Sequence, residues 1–175
     1  QPPAERRYVM RNAEIVAIAD PNPIALEAEA KRLGVKHAFA DYRDLLKTDV
    51  DVVDVCTPNT THCPVSVDAF AAGKHVLLEK PMAMNSKEAQ QIVDASVKHK
   101  KVLQMGMVWR QSAAAEVLRD YVAKGLLGDI YHSRVVMTRR RGIPGLGGWF
   151  TTKAQSGGGP MIDLGVHWFD LAMWV

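Results

Sequence analysis

The amino-acid sequence predicts an α/β fold: a doubly wound parallel sheet followed by the start of a second α/β unit. Three observations predict it. Strand-like and helix-like segments alternate, with short connections, from about residue 14 to 106. The first strand-like segment, EIVAIAD, is mostly β-branched or small and apolar, as expected of a strand buried on both faces. Beyond residue 106 the alternation stops, which places a boundary near residues 107–111 and divides the chain into 1–109 and 110–175.

The elements follow in order. Residues 14–20, EIVAIAD, form the first strand, stopped by the PNP that follows. A helix is expected over 23–33, with Gly34 where a C-terminal glycine belongs. KHAFAD is a short second strand, and DYRDLLK a short helix with Asp41 at its N-cap. VDVVDVCTP, residues 50–58, is a strand, and HCPVSVDAFAAG a helix closed by Gly73. KHVLLEKP is the next strand, ended by Pro81. Asn85 caps a long helix, with Glu88 three residues on as in a capping box, and KVLQMG is a strand again. In the second part, AAEVLRDYVAKGLLG is an amphipathic helix and DIYHSRVVMTRRR a long strand. A glycine-rich loop then leads to a last helix beginning at Pro160.

Composition narrows the function. The 175 residues are 47% hydrophobic and 23% charged, average usage for a globular chain. A net charge of +3 is too small to argue for nucleic acid or a membrane surface. No apolar run approaches the ~18 residues of a membrane span. The opening QPPAERRYVMRN lacks the apolar stretch of a signal peptide and an initiator Met, so the native N-terminus is not expected in this chain. Two cysteines, Cys56 and Cys63, are too few for a disulfide scaffold and suit a reducing compartment. Cys56, His62, Cys63 and His75 have no zinc-type spacing, and no metal is expected.

Several motifs lie where strands end, the edge at which open α/β sheets bind ligands. Asp20 closes the first strand. An acid there accepts the ribose hydroxyls of NAD and repels a 2′-phosphate, although an Asp that merely begins a turn is common. The G-x-G-x-x-G that should precede it by ~20 residues is absent, and AERRYVMRN reads as the end of the helix such a loop would open. In CTPNTTH, Thr57 and Asn59 offer polar contacts, or simply cap the following helix. In EKP, Lys80 points into the same crevice, where partial burial suits a lysine to proton transfer; a solvated lysine is the plainer reading. In TRRR, Arg139 and Arg141 share one face and Arg140 the other, as an anion contact or a solvated strand end.

The last helix raises the sharpest question. Asp163, His167 and Asp170 stand at i, i+4 and i+7, on one face of a helix otherwise apolar. Burying unpaired carboxylates is costly, so this stripe must meet partners or a wet cavity. Beside a glycine-rich loop, that argues for a site.

Taken together, DVVDVCTPNTTH, AAGKHVLLEKPMA and SGGGPMIDLGVHWFDLAMW resemble, in order and spacing, the Gfo/Idh/MocA family of NAD(P)-dependent oxidoreductases. The resemblance implies an incomplete Rossmann-type domain, lacking its first strand and glycine loop, followed by the N-terminal part of an α/β substrate domain with a mostly antiparallel sheet. It implies a central fragment, with most of that second sheet beyond Val175. It implies hydride transfer between a nicotinamide cofactor, NAD or also NADP, and a sugar, cyclitol or related polyol. Lys80, Asp163 and His167 fall on its catalytic positions, Asp20 on the ribose-binding acid, and Thr57, Asn59, His62 and Glu79 on nicotinamide-side contacts. His167 would be the base, Lys80 would polarise the reacting oxygen (the two roles being exchangeable), and Asp163 would orient His167 or bind a substrate hydroxyl. Asp170 reads as support for the stripe, or as a salt bridge to a neighbouring element, and Trp149 as a pocket wall or a packing residue. A cytoplasmic homo-oligomer is expected of the full-length protein. A sensing regulator of the same fold and an inactive fragment are the alternatives; the presence of all three catalytic-position residues favours an enzyme.

Overall fold

The computed structural model describes residues 12–138 and 148–175. Arg139, Arg140 and Arg141, and residues 4–11 of the expected N-terminal helix, lie outside the described residues. The chain divides into two compact units, residues 1–50 and 51–175.

In the first unit, strand β1 (Ala17–Ala19) pairs in parallel with β2 (His37–Phe39), with Ala17 opposite His37. Helix α1 (Pro23–Leu33) joins them. Asn22 caps it, its side chain accepting from the N–H groups of Ile24 and Ala25. Gly34 ends it in the left-handed region, at φ 70°. Helix α2 (Tyr42–Leu45) is capped by Asp41, as its sequence position predicts. The first strand is shorter than expected and half-buried, with Ile15 and Val16 exposed; β2 is its one ladder partner among the described residues.

The second unit opens with three parallel strands in the order β3 (Val52–Val55), β4 (His75–Leu78), β5 (Leu103–Met105). Parallel neighbours are joined by long crossover connections, and each here carries a helix. The helices are α3 (His62–Ala71) and α4 (Ser86–His99), which pack together. Asn85 caps α4: its Oδ1 accepts from Glu88 N at 3.0 Å, while a Glu88 carboxylate oxygen lies 2.9 Å from Asn85 Nδ2. Val55, Phe70, Val76, Leu78 and Ile92 form the core and are almost fully buried. Strand alternation shows in β4, where Val76 and Leu78 are buried and Leu77 is exposed. One face of β4 therefore carries the packing.

Beyond β5 come a 3₁₀ turn (Val108–Gln111), α5 (Ala113–Ala123), a 3₁₀ turn (Trp149–Thr151) and α6 (Lys153–Ser156). A π-helical turn (Met161–Gly165) then leads into α7 (Val166–Trp174). The strand expected over 129–141 is not formed over its described residues, 129–138, which are exposed and irregular. A strand needs a neighbour to complete its ladder, and no strand lies beyond residue 105 among the described residues, so the expected antiparallel sheet is not seen there either. The last helix also differs from expectation: it is half-buried, with Met161, Phe169 and Met173 exposed. Among the described residues no helix is long and apolar enough to cross a membrane.

Candidate active site

Two strand ends and one helix build the site, all within the second unit. β3 ends at Val55 and hands the chain to Cys56, Thr57 and Pro58; β4 ends at Leu78 and hands it to Glu79, Lys80 and Pro81. Because the strands are parallel, both turns emerge at the same sheet edge. The Lys80–Pro81 peptide is cis. A cavity of about 970 Å³ opens against these turns, large enough for a ligand of cofactor size. Thr57, Asn59, Glu79, Lys80, Trp149 and Asp163 are among its walls.

Lys80 is the centre of the geometry. Its Nζ donates to Asp163 Oδ1 at 2.7 Å and to the Asp163 carbonyl at 2.9 Å. Both side chains are mostly buried, Lys80 16% and Asp163 24% exposed, so the ion pair is shielded from water. The Lys80 ammonium also stands 5.9 Å from the centre of the Phe150 ring, a cation–π distance. An ammonium has three N–H bonds, so one is left after Asp163 takes two.

A smaller alcove of about 170 Å³ adjoins, lined by Lys80, Asp163, His167, Trp109, Phe150 and Trp168 among others. His167 Nδ1 is buried there without a hydrogen-bond partner. Burial holds the His167 imidazole below its ordinary value, and the positive charge of Lys80 pushes the same way; Asp163, Glu79 and Asp170 pull against them. The ring therefore stays neutral further into acid than a free histidine.

The stripe divides between two partners, and a π turn spans its first member, Asp163. Asp163 turns to Lys80. Asp170 instead accepts two hydrogen bonds from Arg110, in the turn after β5, one of them from Nε at 2.7 Å. That is the salt bridge to a neighbouring element, and the sequence offered no sign that Arg110 would make it.

The other expected site residues divide as well. His62 is 1% exposed, and its ring nitrogens face two backbone carbonyls: Nδ1 that of Pro81 at 2.7 Å, Nε2 that of Thr57 at 2.9 Å. The N–H of either tautomer donates to one of these carbonyls, so the ring sits between the two strand-end turns and braces them rather than reaching out with a polar atom. Asn59 is buried and its Nδ2 donates to the Ser156 carbonyl at 2.7 Å, anchoring the glycine-rich loop. Thr57 Oγ1 lies 2.8 Å from the Thr61 hydroxyl. The Glu79 carboxylate accepts from Lys80 N and packs closely beside Gly106, where a Cβ would stand 3.2 Å from it. Burial raises the Asp54 carboxyl and the Cys56 thiol nearby, with Glu79 adding to both.

In the first unit, Asp20 follows β1 and its Oδ1 accepts from Asn22 N at 2.7 Å. One oxygen thus serves the turn. His75 Nδ1 accepts from Val102 N, and the Cys63 thiol donates toward Glu88 O and Gln91 Oε1. Among the described residues no group of three His, Cys, Asp or Glu side chains could hold a metal ion. Within the second unit, a cavity bounded by strand ends, with a buried ion pair and an unpartnered imidazole nitrogen beside it, fits a nicotinamide group.

Comparison with known proteins agrees. Residues 4–107 match a model described as an oxidoreductase family with an NAD-binding Rossmann fold, and residues 116–175 match the GFO/IDH/MocA C-terminal domain. D-glucoside 3-dehydrogenase of Escherichia coli is 39% identical over 170 residues, covering 96% of this chain and 48% of that protein. The chain spans about half the length of the curated relatives it matches. An NAD binding oxidoreductase from Klebsiella pneumoniae superposes with a TM-score of 0.75 at 28% identity, over 92% of this chain and 44% of that one. A levoglucosan dehydrogenase in complex with NADH gives 0.77 at 25% identity, over 91% and 44%. With strand-end turns, buried ion pair and helix in the order these matches span, the chain belongs to the Gfo/Idh/MocA oxidoreductase family.

Proposed function

We propose that the full-length protein is an NAD(P)-dependent dehydrogenase acting on a CH–OH carbon of a sugar, cyclitol or related polyol. One observation carries the reading: Lys80 is held twice by Asp163 beside an imidazole, His167, whose Nδ1 has no partner. The dehydrogenases of D-glucoside and levoglucosan among its relatives support the substrate class.

The nicotinamide ring, when bound, accepts or returns the hydride. The chain's own residues handle the proton. The His167 imidazole receives the substrate hydroxyl proton as the carbonyl forms, its lowered basicity keeping it neutral and ready. Lys80 Nζ turns its remaining N–H toward the same oxygen and offsets the negative charge that develops there. Asp163 acts through Lys80, holding the ammonium in place. Thr57, Asn59 and Glu79 border the nicotinamide side of the cavity, and His62 braces the turns that carry them. Asp20 holds the adenosine ribose and supports NAD over NADP. The free cysteines Cys56 and Cys63 suit a cytoplasmic protein, and we read the full-length protein as a homo-oligomer; light scattering would show its mass.

The test is turnover. In the full-length protein, Lys80→Ala and His167→Ala should each slow NADH formation by ~10²-fold or more, the scale of acid–base contributions. Near-normal rates in both variants would overturn the assignment.

A further inference from the structure

Two ion pairs grip the last helical segment, and His167 lies between them. Lys80, in the turn after β4, holds Asp163; Arg110, in the turn after β5, holds Asp170. β4 and β5 are neighbouring strands of one sheet, so both grips come from a single frame. The Arg110 grip is two-pronged, through Nε at 2.7 Å on one carboxylate oxygen and through Nη2 on the other. Such a fork fixes angle as well as distance. Asp170 is 14% exposed, too buried for an ordinary surface pair. The proton chemistry does not account for Arg110, which lines neither cavity.

Other contacts of the same turn bear on the same helix. The Trp109 ring stands 5.1 Å from that of Trp168, the residue after His167. The Arg110 guanidinium lies 5.8 Å from the centre of the Trp174 ring, which Arg119 of α5 approaches to 4.3 Å. The turn at 108–111 thus holds α7 at both its ends. Within α7, His167 and Asp170 are three residues apart and hence neighbours on one face. A carboxylate so placed favours the protonated imidazole, and a guanidinium beside it offsets that pull. The charged groups facing His167 are Lys80 and Glu79 from the turn after β4, Asp163 and Asp170 from its own helical segment, and Arg110 through Asp170.

We propose that Arg110 is a positioning residue for the reaction: its fork on Asp170 sets where α7 presents His167 to Lys80, and its charge cancels that of Asp170 beside the imidazole. This rests on the dehydrogenase reading above. The two partners of the pair then have the same geometric effect on His167 and opposite electrostatic ones. Losing either frees the helix and slows the proton step. Losing Arg110 leaves Asp170 uncompensated, so His167 protonates at higher pH. Losing the Asp170 charge leaves Arg110 uncompensated, so His167 protonates at lower pH. A pair that only stabilised the fold would not split in sign.

The experiment uses the full-length protein with NAD and a panel of methyl pyranosides, inositols and alditols, the pH profile being taken on the best of them. Arg110→Ala and Asp170→Asn should each lower kcat about tenfold or more, with KM for NAD little changed. The acid limb of kcat/KM should move up by roughly half a pH unit in Arg110→Ala and down in Asp170→Asn. Arg110→Lys keeps the charge and loses the fork, so it should return the limb to its wild-type position and recover only part of kcat. Should Arg110→Ala not fold, Arg110→Gln takes its place. Limbs that stay put or move the same way, or a kcat unchanged in both variants, would overturn the proposal. If wild type oxidises nothing in the panel, the dehydrogenase reading fails on its own. Arg110 is then decided by NMR titration of isotope-labelled histidine, the His167 signal being the one absent from His167→Gln: midpoints displaced in opposite directions in the two variants uphold the proposal, and any other pattern overturns it.

Discussion

The ammonium of Lys80 and the imidazole of His167 have been given different tasks by their surroundings. Lys80 carries two charge-assisted bonds to one residue, whereas His167 keeps a bare nitrogen. The pH profile should report this. Because burial and Lys80 lower His167, the acid limb of kcat/KM should fall below the ordinary imidazole range near ~6.5, and His167→Gln should abolish that limb. Asp163→Asn removes the charge but keeps an amide oxygen for Lys80. It should lower kcat with little change in cofactor affinity, as separate fits of kcat and KM would show. In the first unit, Asp20→Ser removes the carboxylate that repels a 2′-phosphate and should shift the NAD-to-NADP preference toward NADP, measured as a ratio of kcat/KM values. Lys80, Asp163 and His167 were legible in the sequence because strand-end position and helical spacing are local properties. The partners of His62 and Asp170 were not. The His62 ring lies between carbonyls 5 and 19 residues away, and the Asp170 partner is 60 residues distant; such contacts exist only once separate turns have been brought together.

At the scale of elements, parallel strands and their crossover helices were readable from alternation alone, and caps such as Asn85 and Asp41 from single residues. One reading failed for a physical reason. The strand expected over 129–141, absent over its described residues 129–138, presupposes a neighbour, and a neighbour is not encoded in the segment itself. The π turn was equally hidden, since apolar residues at helical spacing do not reveal one extra residue in a turn. The core of the second unit should behave as tightly packed. Phe70 is fully buried, and Phe70→Ala should cost ~3–5 kcal/mol, measured by urea unfolding. Asp170→Ala removes a pair whose arginine is 39% exposed, so its cost should be smaller, about 1 kcal/mol in the same assay.

For the whole molecule, the balance of charge says little about function and the distribution of apolar surface says more. A net +3 is too small to argue for a polyanion partner. Exposed apolar residues concentrate instead in the last third: Val117, Leu118 and Tyr121 on α5, and Phe169 and Met173 on α7. Stability should also carry the mark of the site. The unfolded chain binds a proton at His167 more readily than the folded one, so stability rises with pH through the window just below the ordinary imidazole value and is lost as pH falls through it. Replacing His167 with Gln should flatten that part of the melting-temperature profile without touching the carboxylate range.

The double grip on Lys80 has a geometrical consequence. A lysine ammonium normally spins about its last bond and offers its protons in any direction. With two of three N–H bonds committed to Asp163, tetrahedral geometry fixes the third. That donor becomes a fixed vector, and the nitrogen of His167 supplies a second point in the same alcove. Any third contact then completes a handed frame, one that a molecule and its mirror image cannot both satisfy. Stereochemical choice at the reacting carbon would thus be set before any substrate arrives, by how one aspartate holds one lysine.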